Sequence, residues 1–323
     1  MIALWILTIL ASPAELDAAL ARAGGRPVIL YVGAEWCSPC NDLRAEVLEV
    51  PETVAQLGAT VVHVDFDTPE GQAVTERYAI IDLPTSVIVD PKGRELSRVA
   101  GYPGRTEYLE AVRDALRGRS SLDAARAGTG EAARLDVAEA LLVRGNEAEA
   151  APLFSAYFDR SDDLGARATR VWGRYLLRVR KRAVEAEAHF RAAAERFRGL
   201  PAEGSFIYWA ARACDAQGKR DEAVALFDAW GARAPASQDP ALEKADFLVQ
   251  VGAEAGVCEQ AIRAAEPGGK ELGWLAYLLA QVRLKQGDCG GARAAVKRAR
   301  ELEPGPAIYR NFEGRLAKEC ASP

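Results

Sequence analysis

Cys37 and Cys40 stand two residues apart in WCSPC, residues 36–40. Two thiols at this spacing can help hold a metal, staple a loop or cycle between dithiol and disulfide. A zinc site needs four ligands, or three and a water. The front half of the chain offers only His63 as a further soft or borderline ligand and has no second Cys-x-x-Cys, so zinc is set aside. A purely structural disulfide normally closes a longer loop, because a two-residue loop restricts little chain entropy. Redox exchange is the use that remains.

The elements around the pair sharpen this reading. VILYV (28–32) has the continuous apolar character of a buried strand, and a helix is expected to open at the cysteines and run through Asn41, Asp42, Leu43 and Arg44. Cys37 then lies near a helix N-terminus, where unpaired N–H groups and the positive end of the dipole favour thiolate over thiol. That makes Cys37 the attacking sulfur, and Cys40, one turn later, the resolving one. Pro39 falls in the first helical turn and gives up no useful hydrogen bond there. His63 alternates with Val62 and Val64 in a strand, which suits a structural role, and His189 is given no role.

The rest of the front half supplies a sheet to hold these residues. TVVHVDF (60–66) and TSVIVD (85–90) are short, β-branched runs, with helix-like stretches between VILYV and the first and again at Gln72–Tyr78. Pro91-Lys92-Gly93 reads as a turn and ELSRVAG (95–101) as a returning strand, followed by a closing helix from Glu107 to Arg117. Alternating β and α units ending in a hairpin describe an α/β sheet with an antiparallel edge.

After Gly118 the strand pattern stops. GNEAEAAPLF from Gly145, GKRDEAVALF from Gly218 and GDCGGARAAV from Gly287 each read Gly, four residues, Ala, three residues, then a large apolar residue. Their starts lie 73 and 69 residues apart, two units of about 35. Weaker copies read as RKRAVEAEAHF from Arg180 and GVCEQAI from Gly256, giving five helical hairpins and a last helix from about Pro304. Glycine permits the tight turn between helices, and the small alanine permits close packing.

AEWCSPC after an apolar strand, with LPT (83–85) before another strand, resembles the thioredoxin superfamily over about residues 15–117. The resemblance implies a thioredoxin-like fold for 15–118 and a cis proline at Pro84 facing the cysteine pair. It further implies that backbone at Leu83 and Thr85 grips an extended substrate, and that Trp36 flanks the active site. The DPKGRELSRVAGY stretch resembles the C-terminal domain of membrane reductases more than minimal thioredoxin. Two departures stand out. Many members carry a buried acid six residues before the first cysteine, where this chain has Tyr31, so deprotonation of Cys40 is left to water or Glu35. Ser-Pro replaces Gly-Pro between the cysteines, which moves the reduction potential by an unspecified amount; the proline, by analogy with the family, favours a reducing poise.

Residues 121–320 resemble a tetratricopeptide repeat array, with another α-solenoid as the alternative. The fold class expected is therefore an α/β thioredoxin-like domain followed by an all-α, tetratricopeptide-like solenoid. Such arrays present surfaces to extended peptides or partner helices. Trp172, Tyr175, Trp209, Trp230, Trp274 and Tyr277 are candidates for that surface, or else fill seams between helices.

The function expected is thiol–disulfide exchange on protein cysteines, with an unidentified redox partner and no cofactor beyond the Cys37–Cys40 couple. The alternative is a redox-linked chaperone or adaptor, similar in architecture to the bacterial chaperedoxins; a scaffold with a vestigial cysteine pair ranks third. A net charge of −5 disfavours nucleic acid as a partner. Residues 1–14 read as a secretory signal or as the first strand. MIALWILTILA is apolar but too short to span a membrane and has no Lys or Arg before it. Export to the periplasm or cell envelope is the favoured location, and the cytoplasm the alternative. Cys214, Cys258, Cys289 and Cys320 read first as small buried hydrophobes, with at least one disulfide as the other reading.

Overall fold

The computed structural model describes residues 8–9 and 13–320. The signal reading of residues 1–11 falls outside the described residues except at Thr8–Ile9, which form a two-residue strand, β1, the second of the readings for this segment. Helix α1 (Pro13–Arg22) follows, then β2 (Val28–Gly33), α2 (Ser38–Leu43), α3 (Pro51–Leu57), β3 (Thr60–Asp65), α4 (Pro69–Arg77), β4 (Thr85–Val89), β5 (Glu95–Ala100) and α5 (Arg105–Leu116).

The five strands lie in the order β1-β3-β2-β4-β5. β2 runs parallel to β3 and antiparallel to β4, and β4 pairs antiparallel with β5. Central β2 is buried on both faces, which is why its sequence is an unbroken apolar run. Ile29 and Tyr31 join a core with Leu43, Val54, Leu57 and Tyr108, from α2, α3 and α5. Val28, Leu30 and Val32 face the other way, into a core with Leu16, Leu20 and Val74, from α1 and α4. In the turn between β4 and β5, the Asp90 carboxylate accepts from the backbone N–H of Lys92 and Arg94, and Gly93 takes φ +73°.

From Ser121 the described chain is helical. It contains α6 (Ser121–Ala127), α7 (Gly130–Leu142), α8 (Glu147–Ser155), α9 (Asp163–Arg174), α10 (Ala183–Arg196), α11 (Glu203–Asp215), α12 (Arg220–Gly231), α13 (Pro240–Gln250), α14 (Ala255–Ala265), α15 (Leu272–Lys285), α16 (Cys289–Leu302) and α17 (Ala307–Glu319). A π-helical turn, Tyr175–Val179, prolongs α9. The chain groups into two compact units, residues 1–181 and 182–323, so α6 to α9 belong with the sheet. Within the second unit each helix packs on the next, with the short turn Glu266–Gly268 in the connection from α14 to α15; α11, α13 and α15 also pack on one another in sequence.

The turns follow one local rule. Gly145, Gly218 and Gly287 take φ between +77° and +81°, and the residue after each donates its N–H back into the preceding helix: Asn146 to Leu141, Lys219 to Cys214, Asp288 to Arg283. Ala150, Ala223 and Ala292, five residues past each glycine, are wholly buried. Two weaker copies need correcting. The turn glycine of the fourth hairpin is Gly252 (φ +66°), with Ala253 bonding back to Leu248; Gly256 lies inside α14, and buried Cys258 sits where the others have alanine. In the copy read from Arg180, Lys181 adopts the left-handed conformation (φ +54°) without glycine, and Ala186 and Phe190 follow at the repeat spacing.

Candidate active site at the end of the central strand

β2 ends at Gly33, and the next turn carries Trp36 and Cys37 to the start of α2. A side chain at Gly33 would run into the Tyr31 hydroxyl, 2.4 Å from a Cβ built there, so glycine leaves room for the tyrosine ring on that face. Cys37 caps the helix, with its backbone extended (φ −84°, ψ 105°) and its Sγ accepting the backbone N–H of Cys40 at 3.2 Å. The acceptor position usually taken by a Ser or Asp oxygen is thus taken by sulfur. An N–H at the positive end of a helix dipole favours an anionic acceptor. α2 passes directly into a π-helical turn, Arg44–Leu48, where Arg44 pairs with Glu49 at 2.6 Å.

Cys37 and Cys40 are joined in a disulfide. Cys40 is fully buried and Cys37 5% exposed, while Pro39 and Glu35 are exposed beside them. Asn41, itself buried, donates through Nδ2 to the carbonyls of Glu35 and Cys37, both at 2.9 Å, and so closes the loop onto the helix. Trp36 donates Nε1 to the Asp67 carboxylate at 2.7 Å and meets Phe66 edge to face, which anchors it to the end of β3. The Asp67 and Asn41 contacts carry no sequence signature and were not anticipated from it.

Tyr31 lies beneath the pair. Its hydroxyl donates to the Cys40 carbonyl at 3.0 Å, and burial pushes its pKa upward, so it serves as a neutral donor. His63 stacks on the Tyr31 ring with centroids 5.0 Å apart. Burial first, and then the Arg44 charge, lower the His63 pKa to about 4, leaving a neutral imidazole at pH 7.

The second motif reaches the same end of the sheet by pairing. Thr85 opens β4 opposite Val32, so Pro84 enters beside the end of β2 that leads to the cysteines. The Leu83–Pro84 peptide is cis, the isomer the resemblance implies. The Pro84 carbonyl accepts the Gly101 N–H at 2.8 Å, and the Thr85 hydroxyl donates to the Asp82 carbonyl at 2.7 Å. Leu83 packs against the core cluster that contains both cysteines.

The later cysteines divide. Cys214 and Cys258 are buried free thiols, and burial raises the pKa of both, the first to about 11. Cys289 and Cys320 form a disulfide that ties the start of α16 to the end of α17, which corrects the reading of all four as buried hydrophobes. Tyr175, Trp209, Trp230 and Tyr277 are buried, and Trp172 and Trp274 pack against core clusters, so these aromatics fill seams between helices. Among the described residues no helix is long and apolar enough to cross a membrane.

The thioredoxin-like domain family matches residues 14–116. The chain is 33% identical over 112 residues to the thiol:disulfide interchange protein DsbD of Klebsiella pneumoniae, covering 33% of this chain and 19% of that protein. It thus spans about a fifth of the length of the curated relatives it matches. Among solved structures it is similar to a thioredoxin from Thermus thermophilus, at 35% identity, with 33% of this chain and 85% of that one covered and a TM-score of 0.29. It is also similar to the oxidised C-terminal domain of Neisseria meningitidis DsbD, at 26% identity, covering 33% and 91%, with a TM-score of 0.29. The family match identifies residues 14–116 as a thioredoxin-like domain, and the Cys37–Cys40 disulfide lies within it.

Proposed function

We propose that this chain is a protein thiol–disulfide oxidoreductase in which Cys37 attacks, Cys40 resolves, and a tetratricopeptide-like solenoid holds protein partners. The observation that carries the reading is the Cys37–Cys40 disulfide at the start of α2, with the Cys37 sulfur accepting the Cys40 N–H. In the dithiol form, the Cys37 thiolate attacks a substrate disulfide. One sulfur bonds to Cys37 and the other leaves as a thiolate. Cys40, as thiolate, then attacks Cys37 Sγ, closes the intramolecular disulfide and releases the second substrate thiol. Two electrons pass to the substrate, and the reverse sequence oxidises it. An extended substrate lies along the backbone of Leu83, Pro84 and Thr85, with Trp36 and exposed Pro39 at the edge of the groove. The couple needs no further cofactor, and a separate protein re-reduces it.

The repeat reading is supported by the recurring Gly-x4-Ala turn and by the sequential packing of α11, α13 and α15. A cell-envelope location is supported by a second disulfide, Cys289–Cys320, since such bonds persist in oxidising compartments. The test is reduction of insulin by the purified chain with dithiothreitol as electron source, read as precipitation of the freed insulin chain. Catalysis by the wild type and none by Cys37→Ser is expected; equal rates for the two would end the proposal.

A further inference from the structure

We propose that the helical segment Asp163–Lys181 is part of this active site, with Arg178 as the positioning residue that sets the substrate-gripping backbone at Pro84. The inference rests on the oxidoreductase reading above and adds a role for residues outside the thioredoxin-like domain.

The loop before the cis proline is held from the helical side. Ile81, three residues before Pro84, is buried in neither core of the sheet; its side chain joins the helical cluster with Leu135, Leu142, Phe154 and Tyr175. Arg178, in the π-helical turn after α9, donates Nη1 to the Ile81 carbonyl at 2.6 Å. Its guanidinium also lies 5.3 Å over the Phe66 ring, which meets Trp36 edge to face beside Cys37. One side chain thereby links the two walls of the groove. Arg174, one turn earlier, pairs with the Asp82 carboxylate, while the Asp82 carbonyl receives the Thr85 hydroxyl across the proline. Lys181 reaches the α4 side chains Gln72, at 3.0 Å, and Glu76, at 3.7 Å, and Gln72 in turn donates to the Phe66 carbonyl at 2.7 Å.

These links hold the loop where it borders a cavity. A cavity of about 520 Å3 is lined by Ile81, Asp82 and Thr85 together with Ser97, Ala140 and Val171. Without the arginines the loop has room to shift, and a shift displaces the Leu83 and Thr85 groups that must meet an extended chain. A small disulfide that touches only Cys37 does not need those groups. Misplaced binding groups act on the step that uses them.

The experiment compares insulin with 5,5′-dithiobis(2-nitrobenzoic acid), a disulfide too small to lie along the loop. Arg178→Ala is expected to raise KM for insulin about tenfold, the scale of one lost charge-assisted hydrogen bond in a binding groove, with kcat changed less than about twofold. The rate with the small disulfide falls no more than about twofold, and the Cys37–Cys40 equilibrium with glutathione is retained. Arg178→Lys, whose ammonium can still reach the Ile81 carbonyl, recovers most of the loss. A wild-type KM in Arg178→Ala overturns the proposal, and so do equal losses on both disulfides, which mark a general effect on folding. A wild-type chain inert toward both disulfides overturns the oxidoreductase reading and this inference with it.

Discussion

The sheet-bearing region, residues 14–116, and the second compact unit, residues 182–323, bury their apolar surface by different rules, and the difference separates chemistry from support. In the first, each contact near the site occurs once: a cysteine capping α2, a tyrosine under Cys40, a cis proline just before the residue that pairs with Val32. In the second, the same contact recurs. Ala186, Ala223, Cys258 and Ala292 are each buried early in the helix that follows a turn, and Phe190, Phe227, Ile262 and Val296 are each buried four residues later. Repetition spreads packing evenly, and no two thiols meet except where Cys320 returns to Cys289 at the end. Convergence of unlike residues, which a reactive site requires, happens in the region that does not repeat.

The largest effect expected follows from that contrast. Cys37→Ser abolishes disulfide turnover, whereas Cys289→Ser leaves turnover unchanged and lowers the stability of the α16–α17 end by about 2–4 kcal/mol, the scale for losing a link of this loop length. Insulin reduction and urea unfolding of the two variants measure both halves of the statement. Next in size is Phe227→Ala. Phe227 is 1% exposed and packs on Phe247 at 5.3 Å, so its truncation costs about 3–5 kcal/mol. The loss falls on the helical unit while the redox equilibrium of Cys37 and Cys40 stays at its wild-type value, as thiol trapping would record.

Opposite responses to pH sharpen the comparison further. His63 has a folded-state pKa near 4 against an ordinary 6.5, so the unfolded chain takes up the proton first as pH falls. Its contribution is complete above pH 6.5 and is lost between 6.5 and 4, by about 1–3 kcal/mol. In α13, burial and then the Asp246, Glu271 and Asp239 carboxylates raise Glu243 to about 7 from an ordinary 4.5. There the folded chain keeps a proton that the unfolded chain releases, so stability is full below pH 4.5 and declines by about 1–3 kcal/mol as pH rises to 7. Denaturant titrations across pH 4 to 8 check this: His63→Phe flattens the acid limb and Glu243→Gln the neutral one. The smallest effect belongs to Tyr31→Phe, which removes the hydroxyl that serves the Cys40 carbonyl and costs about 1 kcal/mol in thermal unfolding.

Legibility from sequence also differs between the regions. Near the site it was high, because local patterns carry it: VILYV, TVVHVDF, TSVIVD and ELSRVAG all became strands within a residue or two, and LPT marked the cis proline. The helical half was legible where a turn glycine is followed five residues later by alanine, as at Gly145, Gly218 and Gly287, and illegible where that spacing or the glycine itself is missing. An extra residue after Gly252 shifted the fourth repeat out of register, and Lys181 takes the left-handed conformation unannounced. The π-helical turn at Arg44–Leu48 has no signature in composition. Pairing of Cys289 with Cys320 was one of several possibilities that spacing alone leaves equal. The contact of Arg178 with the Ile81 carbonyl joins residues 97 apart through a backbone group, which leaves no trace in side-chain pattern.

The most direct test of the account traps Cys40→Ser with a disulfide-bonded protein substrate and reads the adduct by mass spectrometry, alongside the wild-type chain equilibrated with glutathione. The account predicts a persistent mixed disulfide through Cys37 in the variant, and a reversible two-electron couple confined to Cys37 and Cys40 in the wild type. A Cys37 that forms no adduct, in a pair that does not exchange with glutathione, would contradict it.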